Sequence, residues 1–321
     1  MNDEFREVEL RKAGRIEITI LIDNYTNIIL TSTENVKRPV TLHTDKEAAK
    51  RPIAEHGLSQ FIQIEGDGER HTILMDAGAT EFGAAYKANV LKIDLSETEG
   101  IVISHGHTDH VAGLEELLEL IPKRPIPLIL HPHALLKTRY RILGDGRKIM
   151  VVPIDEKRLS QKGVSFIKTE SPHIMASGFL TTTGQIDRLN AFETGSPDAY
   201  FEEYGMQKKD LIIDDQACIL LLKNKGLVIV SGCAHSGIIN TITHAQRLTG
   251  IERVFAVIGG FHLSGKLFEG RIEQTIDELE KFDPFLVVAN HCTGWKAMNR
   301  LAERMPKAFE LSTVGTTFIL K

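Results

Sequence analysis

Cysteine is scarce in this chain: Cys218, Cys233 and Cys292 are the only three in 321 residues. An odd number so widely spaced implies no disulfide framework and fits a reducing, cytoplasmic setting. Long apolar runs are missing too, since no stretch approaches the roughly 20 residues needed to span a bilayer. The start, Met1-Asn2-Asp3-Glu4-Phe5-Arg6, is charged and holds no signal-peptide core. An excess of positive charge is also absent. A formal net charge of −5 gives no basic field for nucleic acid. The expectation is a globular protein acting on a small molecule, with neither membrane nor nucleic acid as partner. Its 42% hydrophobic and 25% charged residues suffice for a full core.

Histidine is what the sequence concentrates. Ser104-His105-Gly106-His107-Thr108-Asp109-His110 packs three imidazoles and a carboxylate into seven residues. Gly100-Ile101-Val102-Ile103 before it reads as a short buried strand, and Val111 to Leu120 after it as a helix. The cluster therefore sits on a strand-to-helix loop, where open α/β sheets place their chemistry. Mixed imidazole and carboxylate suit zinc first, with iron or manganese as alternatives. Such a loop can aim His105 and His107 at one ion while Asp109 and His110 face a second. Unpaired, these groups would be costly at a buried strand end.

Alternating and apolar runs predict further strands at Ile16 to Ile22, Gln60 to Glu65, His71 to Met75 and Leu128 to Leu130. Helices are predicted near Glu81 to Val90 and from Asp94-Leu95-Ser96. Residues 1 to 15 read as a loose leader, and Thr31 to Arg51 as an irregular excursion. The stretch 138–210 is broken by Gly, Pro and charge, and reads as a lid-like insertion capping a pocket within one domain, 1–321. Its Lys137, Arg139, Arg141, Arg147 and Lys148 are either a phosphate grip or a solvated charged face.

After Asp215 regular order returns. Strands Ala217 to Leu222, Leu227 to Val230, Val254 to Ile258 and Phe285 to Ala289 alternate with helices Ile238 to Leu248, Gly270 to Phe282 and Trp295 to Arg304. A closing strand lies near Val314 to Leu320. Three of these strands end in histidine-bearing loops, at His235, His262 and His291. Gly226-Leu227-Val228-Ile229-Val230-Ser231 echoes Gly100 to Ser104, so two similar halves should pack sheet on sheet, their histidine loops meeting along one edge.

At this point the chain resembles the metallo-β-lactamase-fold superfamily, whose signature H-x-H-x-D-H stands here as His105-x-His107-x-Asp109-His110. Asp76-Ala77-Gly78 matches its first motif and His291 its last. The resemblance implies an α/β, four-layer αββα sandwich with one or two divalent metals at its edge. It places Asp76 behind a ligand imidazole. Asp23-Asn24, His56-Gly57-Leu58-Ser59, Ser231-Gly232-Cys233-Ala234-His235, Gly259-Gly260-Phe261-His262 and His291-Cys292-Thr293-Gly294 are similar to a subgroup. These are the 7,8-dihydropterin-6-methyl-4-(β-D-ribofuranosyl)aminobenzene-5′-phosphate synthases. One departure stands out: hydrolases of the superfamily commonly carry a bridging Asp after Gly, where this chain has Gly232-Cys233. The upstream Thr181-Thr182-Thr183-Gly184 also lacks their ligand histidine.

The expected ligands are His105, His107 and His235 at one ion, with Asp109, His110 and His291 at the other. His235 and His291 have an alternative as loop histidines that hydrogen-bond locally. Asp109 and His262 are the candidate catalytic groups, one as general base or water-orienting group and the other as ligand, proton donor or substrate contact. His56 can reach the pocket or sit at the surface. Cys233 and Cys292 read as packing residues, with thiolate ligation the alternative. A metal on neutral imidazoles lowers the pKa of water from about 15.7 towards 7, which implies hydrolysis of a phosphorylated or ester-bearing small molecule. The alternatives are transfer of a pterin from its diphosphate to an arylamine, and metal or ligand binding without turnover.

Overall fold

The computed structural model describes residues 7–39 and 51–321. Two large sheets carry the chain. One has eight strands, in the order Val164–Lys168, Ile126–Leu130, Gly100–Val102, Glu69–Met75, Ser59–Gly66, Arg15–Ile22, Thr317–Leu320 and Val36–Lys37. The other runs Ile174–Met175, Leu180–Thr182, Ala217–Leu222, Gly226–Ser231, Val254–Gly260 and Leu286–Asn290, with Lys12–Ala13 added parallel to Ala217–Leu222. Gly226–Ser231, Val254–Gly260 and Leu286–Asn290 are buried along their whole length because their sheet is covered on both sides, whereas Arg15–Ile22 begins with the half-buried Arg15 and Glu17.

Ile18, Ile62 and Ile73 from one sheet meet Leu220, Val228 and Ile258 from the other in a central core. Outside the eight-stranded sheet lie the helices Gly83–Leu91 and Leu114–Leu120, sharing a second core. Outside the other sheet, Ile238–Thr249, Ile272–Lys281 and Trp295–Arg304 bury Ile242, Ile276 and Leu301 in a third. The architecture is the four-layer αββα sandwich expected.

Several local expectations change. Val111 to Leu120 is not one helix but two, Thr108–Val111 and Leu114–Leu120. The Asp76-Ala77-Gly78 turn docks at the break: Ala77 N donates to His110 O and Ala112 N to Gly78 O. A Cβ on Gly113 would lie 2.3 Å from Ala77 O, so only glycine admits this approach. Asp94-Leu95-Ser96 starts no helix. Asp94 Oδ1 instead accepts from Ser96 N, closing a turn.

The leader is no loose tail from residue 7 on, because Val8 N donates to Leu248 O and Leu10 is buried. Residues 1–6 lie outside the described residues, as does 40–50 of the predicted excursion. Within 138–210, Val164–Lys168 and Leu180–Thr182 join the large sheets. What stands apart is a four-stranded sheet of Arg139–Ile142, Lys148–Met150, Ala199–Glu203 and Met206–Lys209.

Candidate metal centre

Parallel pairing sets the site. Glu69–Met75, Gly100–Val102 and Ile126–Leu130 run parallel, as do Gly226–Ser231, Val254–Gly260 and Leu286–Asn290. Their carboxyl ends therefore share one edge of the sandwich, and Asp76, the His105 loop, His235, His262 and His291 follow those ends. A cleft of about 900 Å³ opens there, and His107, Asp109, His235, His262 and His291 are among its lining residues.

The histidines meet in two groups. Donor atoms of His105, His107 and His235 lie within 4.8 Å of one another, and so do those of Asp109, His110, Cys233 and His291. A third group, Cys233, His235 and His262, meets the same distance and joins the other two. All six expected ligands fall within the first two groups.

Four of the rings have a partner for Nδ1. His105 Nδ1 lies 3.0 Å from Ser104 Oγ, and His110 Nδ1 2.7 Å from Asp76 Oδ2. His235 Nδ1 is 3.2 Å from Ser196 Oγ, and His291 Nδ1 is 3.1 Å from Asn24 Oδ1. With Nδ1 tied outwards, the four Nε2 atoms face the shared space. Those of His105 and His235 are buried without any hydrogen-bond partner. His291 Nε2 sits 3.3 Å from Asp109 Oδ2, and His110 Nε2 lies 3.2 Å from Cys233 Sγ. Both ring nitrogens of His262 are likewise buried and unpartnered.

Charge follows this layout. Burial, then the neighbouring imidazoles, holds His105 and His235 well below the ordinary histidine range, so both are neutral and can donate a lone pair. Burial and the Arg139 guanidinium lower His107 to about 3. For His110 burial works downwards, but Asp76 and Asp109 outweigh it and raise the ring to about 9. Burial works against ionisation of Asp109 too, yet His110 and His291 hold it well below the carboxylate range.

The supports around these groups are buried polar contacts. Asp76 accepts from Ser104 N and Ser104 Oγ, each at 2.7 Å, as well as from His110. Asp214 Oδ2 accepts from Gly106 N at 2.8 Å, and Arg139 clamps the carboxylate by donating to Oδ2 at 2.7 Å and to Oδ1 at 2.8 Å. Asp23 Oδ1 accepts from His291 N. Asp76, Ala234, His262 and His291 all have positive φ, at 61, 52, 46 and 47°. Such backbone costs of order 1–3 kcal/mol per residue and persists where packing over-determines it, often at functional sites.

Sequence reasoning missed Asp214, Ser196 and Asp215. The adjacent Asp214-Asp215 was visible, but nothing in it told that one holds the Gly106 loop and the other accepts from Ser236 N. The basic cluster is no free phosphate grip. Arg139 is buried between Asp210 and Asp214, Arg141 pairs with Asp198, and Arg147 with Asp145. Lys148 lies over the Tyr140 ring. Arg141 alone of the five reaches the cleft wall. The exposed reading of His56 holds in part: its side chain is 69% exposed, yet its Nε2 stands 3.5 Å from Asp109 Oδ2.

Residues 71–184 match the family model described as a β-lactamase superfamily domain. A protein of Methanocaldococcus jannaschii, 7,8-dihydropterin-6-methyl-4-(β-D-ribofuranosyl)-aminobenzene-5′-phosphate synthase, is 30% identical over 284 residues, 86% of this chain and 94% of the relative. The chain belongs to the metallo-β-lactamase-fold superfamily. Among solved structures, Tm1679, a metal-dependent hydrolase of the β-lactamase superfamily, superposes with a TM-score of 0.69. It shares 23% identity, with 95% of this chain and 98% of Tm1679 covered. Unliganded yeast PDE1 gives a TM-score of 0.50 at 13% identity, covering 95% of this chain and 99% of its own. These two likenesses concern the fold. No helix among the described residues is long and apolar enough to cross a membrane.

Proposed function

We propose that this protein is a metal-dependent enzyme acting on a phosphate-bearing small molecule, and that its reaction is group transfer from a pterin diphosphate to an arylamine. The metal reading is carried by the inward Nε2 atoms of His105 and His235, buried without partners while their Nδ1 atoms are held from behind. Leaving such atoms unsatisfied costs about 1–3 kcal/mol each, and a cation is the partner that a set of lone pairs selects. His105, His107 and His235 would hold one ion, with Asp109, His110 and His291 around a second. Zinc suits this donor set first, and iron or manganese also match it.

A bound divalent ion would supply Lewis acidity towards a departing diphosphate. The chain's own groups do the rest. Tyr25, Met150, Trp295 and Met298 line the cleft and offer an apolar wall to a flat ring. Arg141 stands at the same wall with its charge shared with Asp198. Asp109, kept ionised by His110 and His291, can accept the proton released by an attacking amine. His262, facing the cleft from a positive-φ turn, offers a nitrogen to the metal or to the substrate.

Two features support transfer: the relative at 30% identity along nearly its whole length, and Cys233 where hydrolases of the superfamily commonly place a carboxylate. Hydrolysis is the second reading, favoured by an open cleft mouth where Trp295 is 69% exposed. One experiment separates them. Zinc-loaded protein is given a pterin diphosphate with and without an arylamine, and diphosphate is measured. Amine-dependent release with a coupled product is expected. Equal release without amine would replace transfer by hydrolysis, and no release at full metal occupancy would remove both.

A further inference from the structure

Cys233 belongs to two of the three donor groups. Its sulfur is within 4.8 Å of donor atoms of Asp109, His110 and His291 on one side, and of His235 and His262 on the other. His235 in turn belongs to the group with His105 and His107. The thiol thus stands at the seam between the two ligand sets.

Local structure puts it there. Gly232 lets the loop press onto the support of the histidine signature, since a Cβ at that position would lie 2.1 Å from Ser104 Oγ. Ala234 then turns through positive φ, so that Cys233 and His235 both reach the cleft, two residues apart. His110 Nε2 approaches Cys233 Sγ to 3.2 Å. Independent of the sulfur, the buried Nε2 of His235 and both nitrogens of His262 are unpartnered. His235 is only 5% exposed. Cys233, His235 and His262 line the same cleft.

We propose that Cys233 is a metal ligand, its sulfur bridging the two ions and His262 adding a nitrogen on the His235 side. The inference rests on the metal reading above and deepens it, by giving the shared position to a thiolate. On binding, the Cys233 S–H bond breaks and its proton leaves to solvent. The sulfur lone pairs then form the bonds to the cations. Soft sulfur shifts the preference of the pair away from magnesium and calcium towards zinc, iron and cobalt. Cys292 lines the same cleft but is in none of the donor groups, and Cys218 is buried in the central core.

The test uses the full chain reconstituted with cobalt(II), followed by absorption spectroscopy and counting of bound metal. Wild type and Cys292→Ser are expected to show a sulfur-to-cobalt charge-transfer band in the near ultraviolet. Cys233→Ser should lose that band, keep the visible d–d bands of nitrogen-ligated cobalt, and bind the second equivalent roughly 10–100-fold more weakly. Should Cys233→Ser not fold, X-ray absorption of the zinc-loaded wild type decides, with a zinc–sulfur distance of about 2.3 Å expected. Two cobalt ions bound with no sulfur band, or a band that disappears with Cys292 instead, overturns the Cys233 assignment and leaves the imidazole sites standing. Failure of the wild type to bind cobalt or zinc overturns both.

Discussion

The two rims of the cleft are built on different plans. On the eight-stranded side, His105, His107, Asp109 and His110 come from one short stretch, which the buried Asp76 secures through Ser104 and His110 and the buried Asp214 through Gly106 N. On the seven-stranded side, His235, His262 and His291 come from three loops after three neighbouring parallel strands. Two of these rings are aligned by distant residues, Ser196 for His235 and Asn24 for His291. One rim is a local motif held by two buried carboxylates, and the other is an assembly whose accuracy depends on the packing of the whole sandwich.

Breaking the Asp76 anchor of the local rim should have the largest effect. Asp76→Ala leaves Ser104 N, the Ser104 hydroxyl and the His110 ring buried without their acceptor. A loss of about 3–5 kcal/mol in unfolding free energy is expected, measured by denaturant titration of the metal-free protein. A loss below about 1 kcal/mol would mean that the rim does not hang on this carboxylate.

The assembled rim can be probed through pH. Burial raises Asp215 to about 6 from an ordinary 3.8, against hydrogen bonds from the backbone of Ser236 and His235. The folded state therefore keeps a proton up to about pH 6 that the unfolded chain releases near pH 4. Stability from this group is present below pH 4 and falls as pH rises to about 6, by up to about 3 kcal/mol. Asp215→Asn removes that dependence. Its stability relative to wild type should rise between pH 4 and pH 7 in the metal-free protein, and a flat difference would contradict the assignment.

The smallest effect should come from one distant support. Ser196→Ala removes the hydroxyl behind His235 Nδ1. About a tenfold loss of zinc affinity is expected with the melting temperature nearly unchanged, since the ring stays in place but is less tightly oriented. Competition with a chromogenic chelator measures it. An unchanged affinity would show that strand packing alone fixes His235.

The same contrast explains what was legible in the sequence. His105, His107, Asp109 and His110 were readable because their spacing is local and the strand before them is short and apolar. His235, His262 and His291 were readable only as histidines at strand ends. That they converge follows from parallel pairing of Gly226–Ser231, Val254–Gly260 and Leu286–Asn290, which no short window encodes. Ser196 and Asp214 lie in stretches without a motif, and their partners are 39 and 108 residues away. Arg139 misled for the same reason: a surface-like run of basic residues hides one arginine buried between Asp210 and Asp214. The long helix predicted from Val111 failed because a contact from a distant turn, at Ala77 and Gly78, interrupts it.

The most direct measurement is an anomalous difference map from crystals grown with zinc, collected on both sides of the zinc edge. Density is expected where the Nε2 atoms of His105 and His235 converge with His107, and a second peak beside Asp109, His110 and His291. A map without a peak at these nitrogens, or with zinc on Nδ1 atoms turned away from Ser104 and Ser196, would contradict the account.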